Sequence, residues 1–204
     1  MRRGAQVVDL EGLANHRGSI LGSVPDSPQP SQKAFESALV DAMRAFDPTR
    51  PVFLEAESSK IGRLDVPPQL FARLAEAPLV MLSLPTAKRV EWIRRGYAHF
   101  ETPRFEDTLR RNIQFCAPAA GRAAVDRWEK LIDLRDWDAF VEAMLLDHYD
   151  AAYARAKDRD AKKADRDKDL APLPLDLPDF DHSSMDDAAD ALVKKYDPQA
   201  TACT

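Results

Sequence analysis

Eleven residues near the start of the chain, DLEGLANHRGS from Asp9 to Ser19, gather most of the side chains that could do chemistry. Asp9, Glu11, Asn15, His16, Arg17 and Ser19 surround Gly12 and Gly18, and a short apolar run, Gln6–Leu10 (QVVDL), leads into them. A guanidinium such as that of Arg17 forks onto two phosphate oxygens. Gly18 has no Cβ and would let the backbone approach an anion closely. His16 could donate a hydrogen bond or a proton near neutral pH. The combination suits an anion-binding or acid–base loop at a strand end. The plainer alternative is a turn stabilised by Asp9 and Asn15, with His16 a satisfied polar residue.

A second cluster lies in PVFLEAESSKIG, residues 51–62. Apolar residues running into Glu55 and Glu57 read like a Walker B strand, whose carboxylate holds Mg²⁺ or a water on the phosphate side. The side-chain period of a strand is two, so both acids point to one side. They form a paired acidic site, with Mg²⁺ as its candidate ion, or else they cap the next helix. Lys60 could meet a phosphate or pair with one of them. A third cluster is basic: Lys88, Arg89, Arg94, Arg95, Arg104, Arg110 and Arg111, diluted by Glu91, Glu101, Glu106 and Asp107. It reads as a solvated helix surface or as a phosphate-binding stripe.

Strands and helices must alternate to position these groups. Gln6–Leu10, Pro51–Glu57 and the most apolar run, Pro78–Leu84, read as buried parallel strands. Glycines and prolines make residues 11–30 a loop. Ser31 caps a helix to about Phe46, with Phe35, Leu39 and Met43 on one face. Further helices are expected over Pro68–Ala77, from Thr86 through Tyr97, and over Phe105–Phe115, Ala119–Leu134 and Trp137–Lys163, the last begun by Arg135 or Asp136. The fold class is therefore α/β, a parallel sheet with crossover helices followed by a helical half. The expected divisions are an α/β domain over residues 1–103, a helical region over 104–165, and a linker, late strand and final helix capped at Ser183 or Ser184 over 166–204.

Several classes are set aside. The 204 residues carry a net charge of −5, unlike a general nucleic-acid coat protein. No apolar run reaches the roughly 20 residues of a membrane span, and no signal peptide is evident, so a cytoplasmic protein without membrane contact is expected. Cys116 and Cys203 stand far apart with no zinc-ligand spacing, so no metal site is assigned to them. His99, His148 and His182 sit among helical or linker residues and read as structural. No GxxxxGK[ST] loop occurs in the chain.

Taken together, these segments resemble the tRNA 2-selenouridine synthase family. DLEGLANHRGS, Pro30-Ser31-Gln32, Phe35-Glu36, EAESSKIG, the Pro67-Pro68 helix start, Arg89, Tyr97 and Asp147–Tyr153 (DHYDAAY) carry the likeness in order over most of residues 6–155. The resemblance implies a P-loop-type sheet, incomplete here, whose phosphate-side cleft is lined by Asp9, Glu11, His16, Arg17, Gly18, Ser19, Glu55 and Glu57. It implies a selenotransferase that replaces the sulfur of wobble 2-thiouridine with selenium from selenophosphate, through a geranylated intermediate formed from geranyl diphosphate. By the same resemblance tRNA is the partner, with Lys88, Arg89, Arg94 and Arg95 as candidate contacts. Family members also carry a rhodanese-like domain with an essential cysteine and a P-loop, and neither is found in this sequence. The expectation is part of such an enzyme, inactive alone: a piece left by truncation or frameshift, or the product of a split gene completed by a separately encoded rhodanese and P-loop part. The alternative is a non-catalytic module that binds tRNA or a protein partner.

Overall fold

A computed structural model describes residues 4–56, 58–154 and 172–200. Glu57, Cys203 and most of the charged tract after Ala154 lie outside the described residues. The chain divides into two compact units: residues 1–77 with 181–204, and residues 78–180 inserted between them.

In the first unit, β1 (Gln6–Val8) pairs in parallel with β2 (Val52–Leu54), with Gln6 opposite Val52 and Val8 opposite Leu54. Parallel neighbours need a crossover connection, and helix α2 (Gln32–Arg44) lies in it. The Ser31 hydroxyl accepts from the Ala34 amide at 3.2 Å and starts this helix. Phe35 and Leu39, one turn apart, are buried beneath it with Val8, Leu10, Ile61 and Leu64.

Residues 11–30 are not all loop. Helix α1 (Leu10–Ala14) opens directly after β1, because the Asp9 carboxylate accepts from the Gly12 amide at 2.6 Å. A Cβ at Gly12 would come within 2.4 Å of that carboxylate, so the glycine makes room for its own cap. Asn15 closes the helix at φ 48. A hairpin of β3 (Lys60–Ile61) and β4 (Leu64–Asp65) also escaped the sequence reading; Gly62 turns it at φ 60. Helix α3 (Pro68–Glu76) follows, with proline in its first turn.

Glutamine side chains stand in for strand partners. Gln32 donates to the Asp65 carbonyl at 2.8 Å and accepts from the Asp65 amide at 2.9 Å. Gln6, buried, donates to the Asp47 carbonyl at 3.1 Å and accepts from the Asp47 amide. The last helix, α9 (His182–Tyr196), is capped by Asp181, which accepts from the Ser184 amide at 2.7 Å, not by Ser183 or Ser184. Beyond it, the 1 % exposed Asp197 accepts two bonds from Arg50, at 3.2 and 2.7 Å. Arg50 also donates to the Gly4 carbonyl at 2.7 Å.

In the second unit, β5 (Val80–Ser83) pairs in parallel with β6 (Leu173–Asp176), Val80 opposite Leu173. The strand expected to join β1 and β2 thus has its described partner in a late segment. Leu173 and Leu175 are half-buried while Pro174 and Asp176 are exposed, so β6 offers one apolar face and sets its proline, which donates no ladder bond, outward.

Helix α4 (Thr86–Tyr97) runs into a 3₁₀ turn, Ala98–Glu101, and then come α5 (Pro103–Gln114), α6 (Ala117–Ala120), α7 (Arg122–Asp133) and α8 (Trp137–Met144). The helix expected over Ala119–Leu134 is divided at Gly121, whose φ of 89 no helix accommodates. Asp136 caps α8, accepting from Ala139 at 3.2 Å. Residues Leu145–Tyr149 form a π-turn that interrupts the long final helix expected here. The turn brings Asp147 to the fully buried Trp128, whose indole N–H donates to it at 3.0 Å. The result is α/β with short parallel strand pairs, and among the described residues no helix is long and apolar enough to cross a membrane.

Candidate functional site

Parallel pairing of β1 and β2 sets their carboxyl ends side by side, and each strand is followed there by an acid, Asp9 after β1 and Glu55 after β2. Glu55 turns back onto helix α1. One of its oxygens accepts from the Leu10 amide at 2.9 Å and the other from the Glu11 amide at 3.4 Å. With Asp9 on the Gly12 amide, the first amides of α1 are thus bonded to two protein carboxylates. Burial pushes the Glu55 carboxyl above its usual range and the neighbouring Asp9 carboxyl adds to this, against the lowering by the Leu10 and Glu11 amides. Two carboxylates so placed can share a proton, act as acid and base, or hold a divalent cation.

The residues after α1 form a second, tighter turn. His16 bridges to Ser23, the Arg17 amide donates to the Gly22 carbonyl at 2.9 Å, and the Ser19 amide donates to the Arg17 carbonyl at 2.7 Å. Gly18 sits at φ 66. Ser19 Oγ accepts from the Leu21 amide at 3.2 Å.

The His16 ring is 7 % exposed and clamped between two glycines. A Cβ on Gly22 or Gly62 would come within 2.9 or 2.8 Å of it. Burial lowers its pKa, and Nδ1 has no hydrogen-bond partner among the described residues. Gln29 locks the same region, donating to the carbonyls of Ala14 at 3.1 Å and Ile61 at 2.9 Å and accepting from the Arg63 amide at 2.9 Å. Neither Gln29 nor its link to the β3–β4 hairpin carried a sequence signal beyond a glutamine among prolines.

The structure therefore brings Asp9, Glu11 and Glu55 together at the start of α1, and Arg17, Gly18 and Ser19 in the turn beyond. Lys60, offered as a phosphate contact or an acid's partner, pairs with Asp65 at 2.5 Å. Among the described residues no group of three or more His, Cys, Asp or Glu is placed to hold a metal ion.

In the second unit several of the basic residues are matched to acids, some nearby and some far along the chain. Lys88 lies 2.5 Å from Asp179, Arg89 makes two bonds to Asp150, Arg94 pairs with Glu101 at 3.0 Å and Asp138 at 2.9 Å, and Arg95 pairs with Glu91. Arg110 likewise pairs with Glu106 and Asp133, each at 2.8 Å. The stretch is a set of ion pairs, some within a helix and some joining helices, and phosphate contacts there would have to exchange against them. Cys116 is fully buried, and burial raises its thiol pKa.

In open α/β sheets ligands bind outside the carboxyl ends of the strands, which is where the paired acids and the glycine-bearing polar turn lie here. Residues 1–117 match the model of the tRNA 2-selenouridine synthase AAA domain. The chain is 35 % identical over 172 residues to the tRNA 2-selenouridine synthase of Marinobacter nauticus, covering 72 % of this chain and 47 % of that protein. It is 33 % identical over 176 residues to the enzyme of that name from Hahella chejuensis, covering 72 % and 45 %. A shorter match, 43 % over 96 residues, is to that of Aeromonas salmonicida, covering 46 % and 26 %. No solved structure matches the chain. The chain belongs to the tRNA 2-selenouridine synthase family, and it spans about half the length of the curated relatives it matches most extensively.

Proposed function

We propose that this chain supplies part of the substrate site of a tRNA 2-selenouridine synthase. In this reading the enzyme exchanges the sulfur of a tRNA 2-thiouridine for selenium, with selenophosphate as donor and a geranylated intermediate drawn from geranyl diphosphate. The supporting observation is the Asp9–Glu55 pair at the strand ends, beside the turn carrying Arg17, Gly18 and Ser19. Both small substrates bear phosphate groups, and Arg17 is the residue proposed to take a phosphate oxygen pair.

The paired acids fit Mg²⁺, which is commonly held by one or two carboxylates and otherwise by water and phosphate oxygens. Bound there, the ion would neutralise phosphate charge. Asp9 and Glu55 would hold it, and Glu11 would stand beside them. The P-loop type of the domain is part of this proposal, as are tRNA as partner and a separately encoded P-loop part. Turnover on this reading needs a phosphate-cradling loop that these 204 residues do not contain.

The test is pyrophosphate binding by calorimetry, with and without Mg²⁺, for the full chain and for Arg17→Ala and Glu55→Gln. Arg17→Ala should lose roughly 1.5–3 kcal/mol, the scale of a charge-assisted hydrogen bond. Equal affinity in all three proteins would refute the site. An assay of the chain alone with 2-thiouridine tRNA, geranyl diphosphate and selenophosphate should give no product, and turnover would overturn the incompleteness.

One observation favours a second reading, a non-catalytic tRNA- or partner-binding module. The first amides of α1 are already bonded to Asp9 and Glu55, so they offer no cradle to a phosphate. Pyrophosphate binding distinguishes the two.

A further inference from the structure

Helix α4 carries an aromatic side chain that the packing of its unit does not consume. Trp92 is 52 % exposed, whereas Trp128 is fully buried. The indole is not loose, however. It stacks on Phe180 with ring centroids 4.5 Å apart and an interplanar angle of 19°. A rigid, flat and half-open π surface results.

The same helix face holds Lys88, one turn before, and Arg95, one turn after. Lys88 is tied to Asp179 at 2.5 Å and Glu91 at 3.7 Å, and Arg95 to Glu91. These pairs are solvent-exposed, and exposed ion pairs exchange for other partners at little cost.

Gly96 supplies an independent observation. It lies four residues after Trp92, inside α4, where glycine weakens a helix. Packing does not require it, since an added Cβ would meet nothing within 4 Å, and it has no positive φ that would call for glycine. Its effect is to leave the helix face one turn after Trp92 without a side chain.

We infer that Trp92, backed by Phe180, is a stacking platform for an unpaired base of RNA, with Gly96 leaving room for the nucleotide and Lys88 and Arg95 meeting the flanking phosphates. Aromatic faces flanked by cations take single-stranded bases in this way. A protein partner would instead be expected to need a broader apolar patch than one indole. The inference rests on the tRNA reading above and assigns it a surface.

The experiment measures binding of unmodified tRNA, of a short single-stranded RNA and of the matching duplex to the full 204-residue chain. The variants are Trp92→Ala, Trp92→Phe and Gly96→Gln. Trp92→Ala should weaken tRNA and single-strand binding roughly tenfold, the loss of one stacked base, and leave duplex binding unchanged. Trp92→Phe should retain most of the affinity. Gly96→Gln projects into open space, keeps the fold, and should weaken binding by crowding the base, so a folding defect in Trp92→Ala would not shield the proposal. Far-UV dichroism and melting confirm the fold of each variant. Unchanged tRNA affinity in Trp92→Ala and Gly96→Gln overturns the platform alone and leaves a protein as the occupant of this face. Failure of the unaltered chain to bind any tRNA overturns the tRNA reading and the platform with it.

Discussion

Replacing Asp197 by alanine should destabilise the first unit by about 3 kcal/mol, the low end of the range for breaking a buried ion pair. Asp197 is 1 % exposed and Arg50 22 %, so the guanidinium left behind keeps some access to water, which argues for the low end. The pair is doubly bonded, at 3.2 and 2.7 Å, which makes it directional as well as charged. With a urea dependence of about 2 kcal/mol/M, the midpoint should fall by about 1.5 M. All three tryptophans lie within residues 78–180, so indole emission reports on the other unit and far-UV dichroism is the suitable signal. The double variant Arg50→Met, Asp197→Leu should recover most of the loss, because apolar side chains of similar volume replace a buried pair at little cost. A shift under about 0.5 kcal/mol for Asp197→Ala, the range of ordinary surface changes, would refute the reasoning.

Gly62→Ala should cost at least about 2 kcal/mol, since φ is 60 and the new Cβ would lie 2.3 Å from Gln29 Oε1. Gly96→Ala, in an open helical position, should gain about 1 kcal/mol; thermal melts read both. Burial holds the folded His16 below its ordinary value of 6.5, so the unfolded chain binds the extra proton. Stability should therefore fall as pH drops below about 6.5 towards the folded pKa, and His16→Gln should flatten that slope in melts across pH. Glu55 has the opposite sign. Its raised pKa means that stability present below about 4.5 is lost as pH rises through the folded value, and Glu55→Gln should remove this loss.

Local signals were legible where one side chain decides the outcome. Ser31 starts α2, Asp136 starts α8, and the apolar spacing of Phe35 and Leu39 marks the buried face of α2. The α/β class and the family were also legible, since strands, crossover helix and the DLEGLANHRGS loop are contiguous features. What escaped depends on partners distant in sequence. Glu55 reads as the end of a Walker B-like strand, yet it bonds amides 45 and 44 positions away. The basic residues look like a phosphate stripe until Asp138, Asp150 and Asp179 arrive from later segments. Helix α1 hid in a glycine-bearing stretch because Gly12, a helix weakener on average, is there the residue that admits its cap.

The tie that Arg50 makes between Gly4 and Asp197 also bears on the order of assembly during synthesis. The second unit leaves the ribosome as one continuous stretch and has all its residues when Phe180 emerges. The first unit does not, because its closing helix and Asp197 are made only after the whole inserted unit. Phe53, which meets Tyr196 edge-on, waits for a partner 143 positions downstream. Vectorial synthesis therefore reverses the usual amino-terminal-first order: the inserted unit can mature while its host is still open, and the host closes only after the residues that follow the inserted unit have been made.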